Sequence, residues 1–276
     1  MQTKQQIQSL LTQAGLSPRH RYGQNFMIDQ NLLRIVAEAG NPAGGDLVIE
    51  VGPGTGTLTE EILSRGADVL AVEIDRDLAG LLRERFKDEG RFRLIEGDAL
   101  DSKHSLNAQL LEAIKSAQHP PKLIANLPYN IASPLIIEML LAGVEMLAFT
   151  VQKEVAERLR GSPGTDAYGA LSVMVQLLAK VEVLRTLPPA AFWPAPKIES
   201  ALVRLIRDDR LNVRARGFSL FLQGLFSSRR KTLRKSLVQM NHHPDAVLSE
   251  LQLNPAIRGE TLNPQQLLLL YTALSR

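Results

Sequence analysis

The sequence predicts an α/β fold, a parallel sheet covered by helices on both sides, followed by a small all-α domain. Three observations predict it. Between Asp46 and Gln152, apolar runs alternate regularly with amphipathic ones, the pattern of repeated β-α units. The first apolar run opens into a glycine-rich turn, Gly52-Pro53-Gly54-Thr55-Gly56, ahead of a helical run. Beyond about Asp209 only helical periodicity remains, and the charge balance changes with it.

Residues 46–52, 68–75, 91–100, 121–128 and 146–152 read as strands, several apolar throughout and therefore buried on both faces. Between and after them, 57–66, 76–86, 105–117, 133–143 and 151–159 carry apolar residues at helical spacing. Gly, Pro, Ser and Asp make 161–169 a loop, and 169–180 returns to a helical pattern. Two strand-like runs, 181–187 and 200–207, flank a proline-rich connector and suggest an antiparallel addition at the sheet edge. Helices are expected over 218–226, 231–240, 246–253 and 264–274. The expected domains are 1–208, catalytic and cofactor-binding, and 209–276, helical and basic.

Composition narrows the chemistry. The 276 residues include no cysteine, which excludes disulfides, thiolate metal sites and a cysteine nucleophile. The five histidines show no metal-ligand spacing, so no metal is expected. The longest apolar stretch, Pro134–Phe149, is interrupted by Glu138 and Glu145 and falls short of a membrane span; with no export signal, a cytoplasmic protein is expected. From Asp209 onward ten basic residues face four acidic ones, giving +6 there and −3 for the remainder, against +3 overall. A mildly acidic body with a basic end suits contact with a polyanion.

The glycines of the first turn let backbone N–H groups approach a ligand, and Thr55 or Thr57 could cap the helix that follows. Two acids join them. Glu73 ends the second strand, about 20 residues after the turn, where a carboxylate can accept from ribose hydroxyls. Asp98 ends the third. Either acid alone also reads as a helix cap. Together they line one sheet edge with negative charge and no basic residue for a pyrophosphate, which suits a cationic nucleoside such as S-adenosyl-L-methionine better than a dinucleotide. At the fourth strand end, Asn126 and the Pro128 carbonyl form a two-acceptor fork for an exocyclic amine, and Tyr129 offers a face for stacking an extruded base.

These residues carry a resemblance. Asn126-Leu127-Pro128-Tyr129, the glycine turn and the segment 23–29 (GQNFMID) are similar to the ribosomal RNA adenine dimethyltransferases, and 188–205, 226–237 and 257–267 extend the match over nearly the whole chain. The resemblance is greatest to the bacterial small-subunit branch. It implies a Rossmann-like S-adenosylmethionine-dependent methyltransferase sheet. The implied activity is N6,N6-dimethylation of two adjacent adenines near the 3′ end of 16S rRNA during small-subunit biogenesis. Asn25, Met27, Gly52, Gly54, Gly56, Glu73, Asp98 and Asn126 should contact the cofactor, with Glu73 on the ribose and Asp98 on the adenine amine. Tyr129 should stack the target adenine, with Phe192 on its other face; Asn126, Pro128, Tyr129 and Phe192 form the expected catalytic set. Met27 stands where leucine is commoner, and Ala132 where serine or threonine is common. The expected partner is the small ribosomal subunit and its rRNA, bound by a monomer.

Taken as one helix, Phe226–Met240 separates Phe226, Leu233, Leu237 and Met240 from Arg230, Lys231, Arg234 and Lys235, an amphipathic element offering charge to phosphates. Arg229 fits neither face and suggests an internal contact; Arg19, His20 and Arg21 are a second basic cluster. The alternatives are a large-subunit (23S) rRNA adenine methyltransferase, an assembly factor acting mainly by binding, a DNA adenine methyltransferase and a nicotinamide dehydrogenase.

Overall fold

The computed structural model describes residues 2–19, 22–102, 104–208 and 215–276; His20 and Arg21 of the second basic cluster lie outside them. The chain opens with helix α1 (Lys4–Gln13), strand β1 (Phe26–Met27) and helix α2 (Gln30–Gly40). α1 starts in a capping box, the Thr3 side chain accepting from the Gln6 N–H while the Gln6 side chain accepts from the Thr3 N–H. It buries Ile7 and Leu11 against Phe26 and Leu78. Asp29 caps α2 by accepting from the N–H groups of Asn31 and Leu32.

The alternating region then forms as read. In order it gives β2 (Leu47–Val51), α3 (Thr57–Ser64), β3 (Asp68–Glu73), α4 (Arg76–Arg85) and β4 (Phe92–Glu96). A small antiparallel hairpin follows, β5 (Leu100–Ser102) with β6 (Ser105–Leu106), then α5 (Ala108–Ser116), β7 (Lys122–Asn126), α6 (Ala132–Ala142), β8 (Met146–Gln152) and α7 (Lys153–Leu159). Next come α8 (Ala170–Leu178), β9 (Ala179–Leu187), β10 (Phe192–Trp193) and β11 (Ser200–Arg207). The seven-stranded sheet has the order β4-β3-β2-β7-β8-β11-β9. The first five are parallel neighbours, and β11 runs antiparallel to β8 from Ser200↔Gln152 to Ile206↔Met146, the edge addition that the proline-rich connector suggested. β10 leaves the sheet to pair antiparallel with β1, Phe26↔Trp193 and Met27↔Phe192.

Chain order reverses between β2 and β7: the strands that follow β2 extend to one side, β7 and β8 to the other. Loops leaving the C-terminal ends of these two strands must part, and that crevice is where open α/β sheets bind ligands.

The chain divides into two compact units, Met1–Ala156 with Glu182–Arg207, and Glu157–Val181 with Asp208–Arg276. The boundary expected between 208 and 209 is therefore incomplete, because residues 157–181 cluster with the C-terminal helices α9 (Ala215–Ser227), α10 (Leu233–Gln239), α11 (Asp245–Glu250) and α12 (Pro264–Leu274). Long-range contacts explain this. Tyr168 is fully buried, its hydroxyl donates to the Leu262 carbonyl at 2.8 Å, and its ring meets Phe226 edge-on at 5.7 Å. Phe218, Phe221 and Tyr271 form an aromatic cluster in the same unit, with centroids 5.3–6.3 Å apart.

One expected element is corrected. Phe226–Met240 is not a single helix; α9 ends at Ser227, and α10 starts at Leu233. The Lys231 N–H turns back to the Ser228 carbonyl at 2.9 Å, and the Thr232 side chain caps α10 by accepting from the Lys235 N–H. A capping threonine in extended conformation cannot also be interior helix.

Candidate functional site

The crevice at the β2/β7 reversal holds an open cavity of about 1040 Å³, counting its mouth. Its walls come from the segment before β1, the glycine turn, the ends of β3 and β4, and the segment after β7. Asn25, Met27, Gly52, Gly54, Glu73, Asp98, Asn126, Pro128 and Tyr129 all line it, so nearly every residue nominated from sequence is brought to one place. No lysine, arginine or histidine is among the lining residues described.

The glycine turn is built for close approach. Gly52 has φ +72° and Gly54 φ +62°, a region side chains rarely adopt. A methyl group at Gly52 would sit 3.1 Å from Pro128 Cγ, and one at Gly54 2.9 Å from the Phe26 ring. Gly56 does not line the cavity; it forms the N-cap of α3 with φ +81°. It has no side chain to give, so the expected threonine cap is absent. The Thr55 and Thr57 hydroxyls instead donate to Gln2 Oε1 at 2.7 and 2.9 Å, and the Gln2 amide donates to the Thr55 carbonyl. Gln2 is buried, a support for the turn that no local pattern announces.

Glu73 is 4% exposed, and its carboxylate accepts from the Asp75 N–H at 2.9 Å and the Gly54 N–H at 3.4 Å. Burial pushes its carboxyl up to about 7, against the pull of these donors. Glu50, missed from sequence, also lines the cavity. It is 2% exposed, accepts from the Thr59 hydroxyl at 2.6 Å, and is pushed up to about 8 by burial, with neighbouring Glu73 adding to the rise. The only signal was an acid inside an otherwise apolar strand. Asp98 is exposed at the cavity wall, one oxygen accepting from the Leu100 N–H at 3.0 Å.

Asn126 ends β7 with its amide held at both ends. Nδ2 donates to the Asn25 carbonyl at 2.8 Å, and Oδ1 accepts from the Thr150 hydroxyl at 2.5 Å. Tyr129 is half-buried, and its hydroxyl pairs with the buried Ser200 hydroxyl at 2.8 Å. Burial raises its phenol above the ordinary tyrosine value, opposed by that bond. The Pro128 carbonyl accepts a long bond, 3.3 Å, from the Ile131 N–H, and a carbonyl with two lone pairs keeps capacity for a further donor.

Phe192 is not brought to this site. It is 2% exposed, packs in the core beside Ala191 and Leu202, and does not line the cavity, although its register partner Met27 does; the stacking role expected for it gains no support from this placement. Strand alternation explains the placement: paired with Met27 on the two-stranded ribbon, Phe192 turns inward while Trp193 meets Phe26 at 6.2 Å.

The basic residues divide as well. Arg230 and Lys231 lie in the turn between α9 and α10 rather than on a helix. All four are exposed, but Lys231 bonds Gln239 and Arg234 forms a two-point surface pair with Asp245 at 2.6 and 2.8 Å. Arg229 makes the suggested internal contact, with Glu260 at 2.6 Å and the carbonyls of Asp166 and Thr165 at 3.1 Å. Arg19, of the second basic cluster, is spent on Asp75 and Asp77.

The fit to a cofactor follows from the wall. Acids, glycine backbone and an absence of basic groups among the described lining residues match a sulfonium nucleoside with an amino group and disfavour the pyrophosphate of a nicotinamide dinucleotide. Among the described residues there is also no cluster of three potential metal ligands, and no helix is long and apolar enough to cross a membrane.

Comparison with known proteins agrees. The family described as ribosomal RNA adenine dimethylase matches residues 15–275. A ribosomal RNA small subunit methyltransferase A from Magnetococcus marinus is 44% identical over 266 residues, covering 94% of this chain and 93% of its own. Its namesake from Deinococcus radiodurans is 42% identical, covering 92% and 85%. Among solved structures, a dimethyladenosine transferase from Plasmodium falciparum superposes with a TM-score of 0.70 at 24% identity, covering 89% and 95%. The 23S rRNA methyltransferase ErmE does so at 0.65 and 24%, covering 91% and 100%. At that identity these two establish the shared fold.

Proposed function

Because this chain belongs to the ribosomal RNA adenine dimethylase family, we propose that it methylates N6 of two adjacent adenines near the 3′ end of 16S rRNA during small-subunit biogenesis. It uses S-adenosylmethionine. The observation that carries the reading is the meeting, in one crevice, of the acid-lined glycine turn with Asn126, Pro128 and Tyr129.

S-adenosylmethionine supplies an electrophilic methyl group on a positively charged sulfonium, with a neutral leaving group. Gly52 and Gly54 would bring bare backbone to it, Glu73 would accept from the ribose, Asp98 would take the adenine amine, and Asn25 and Met27 would contact it from the segment around β1. An exocyclic adenine amine is a poor nucleophile because its lone pair is delocalised into the ring. N–H bonds to Asn126 Oδ1 and the Pro128 carbonyl favour a pyramidal nitrogen, aim its lone pair and stabilise the positive charge that develops. Tyr129 stacks the extruded base. The product ammonium is acidic enough to lose its proton to water, so these residues need no dedicated general base.

Arg230 and Lys235 contribute to phosphate binding in the second unit, more than Lys231 and Arg234, whose charges are shared with surface partners. The chain acts in the cytoplasm, where its ribosomal substrate is made, and as a monomer, a reading supported by one chain supplying both the cofactor wall and the amine fork.

Methyl transfer from labelled cofactor to isolated small subunits, large subunits and naked RNA tests the proposal. Labelling of N6 in immature small subunits is expected, and Asn126→Ala should slow it roughly 10²–10³-fold. Labelling confined to large subunits would reverse the substrate assignment.

A further inference from the structure

We propose that Thr150 is a positioning residue for methyl transfer: its hydroxyl fixes the side-chain amide of Asn126 with the oxygen available to the target amine. The inference rests on the amine-fork reading above.

Thr150 lies in β8 between Phe149 and Val151 and is fully buried. A hydroxyl in such a strand costs free energy unless it is bonded, and the bond it makes is to Asn126 Oδ1 at 2.5 Å. The two residues are register partners on the parallel strands β7 and β8, Asn126↔Thr150, so their side chains leave the sheet on the same side.

An asparagine amide can present either end to a ligand, and its terminal torsion is broad. Only the oxygen can accept from an adenine N–H; the NH₂ end would oppose donor to donor. The Asn25 carbonyl is an obligate acceptor, so at 2.8 Å it draws Nδ2 to itself. That leaves Oδ1 toward Thr150, whose hydroxyl rotates to donate. Thr150 occupies one lone pair of Oδ1 and leaves the other for the amine. Asn25 therefore sets which end points where, and Thr150 holds the plane from the other side.

The test compares Thr150→Val, which keeps shape and removes the hydroxyl, with Thr150→Ser, which keeps the hydroxyl. For Thr150→Val, kcat on small-subunit RNA should fall roughly 10-fold or more, with cofactor affinity unchanged within about twofold. Thr150→Ser should recover most of the loss. In ¹H–¹⁵N spectra the Asn126 NH₂ pair should be slowly exchanging in the parent and in Thr150→Ser, and broadened in Thr150→Val. Single-turnover rates in an Asn126→Ala background should show no further effect of Thr150→Val. If Thr150→Val does not fold, Thr150→Ala gives the same comparison.

Full activity without the hydroxyl, serine no better than valine, or an undiminished loss in the Asn126→Ala background would each overturn the inference. The underlying reading fails separately, through an Asn126→Ala variant that methylates normally.

Discussion

Cofactor affinity should depend on pH through Glu73. The carboxyl lies at about 7, raised by burial at 4% exposure. Ribose hydroxyls donate, so they bind the ionised form, and protonation competes with the cofactor. With one such group the ionised fraction is about 0.9 at pH 8 and about 0.09 at pH 6, so apparent Kd should rise roughly tenfold between them. Binding at pH 6 should release close to one proton. Calorimetry with S-adenosylhomocysteine in two buffers of different ionisation enthalpy reads both quantities, and staying below pH 8 keeps the ligand's amine charged. Glu73→Gln should bind weakly with a flat profile, whereas Glu50→Gln should retain the slope. A flat profile for the parent protein, with no buffer dependence, would refute the assignment of Glu73 to the ribose.

Stability should respond to the same groups in the opposite sense. Glu50 and Glu73 have folded-state values raised above the ordinary 4.5. Their contribution is fully present below that value and is lost as pH rises through about 7 and 8. Thermal melts of Glu50→Gln without cofactor should match the parent at pH 5 and exceed it at pH 8. Gly54→Ala should lose about 1–3 kcal/mol in chemical denaturation and bind cofactor poorly, because a side chain there adopts φ +62° against the Phe26 ring. Titrations of RNA binding against salt should distinguish the basic residues. Arg230→Ala and Lys235→Ala each lower the slope by about 0.7–0.9, and Arg234→Ala by less, since Asp245 already pairs with it.

The parts of the fold that sequence disclosed are those governed by local rules. Continuous apolar strands between amphipathic helices fix a covered parallel sheet, and the glycine turn and Asn126-Leu127-Pro128-Tyr129 belong at strand ends because each follows an apolar run. Elements held by distant partners escaped. β1 and β10 are two residues each and exist through their pairing across more than 160 positions. Phe192 was placed at the site because it belongs to a matching segment, yet that pairing turns it into the core. Glu50, Thr150 and Ser200 are polar residues in apolar strands, and only their distant partners, Thr59, Asn126 and Tyr129, show what they hold. The break after Ser227 is legible in the separate helical runs 218–226 and 231–240 and in Thr232; only the amphipathic reading of Phe226–Met240 as one helix overrides it.

Arg229 stands in a run of cations yet spends its guanidinium on Glu260 and two loop carbonyls. A survey that neutralises this run one position at a time will find Arg229→Ala among the most damaging substitutions. Its cause will be a loosened hinge of protein on protein, visible as easier proteolysis around Thr165 even when no RNA is in the tube.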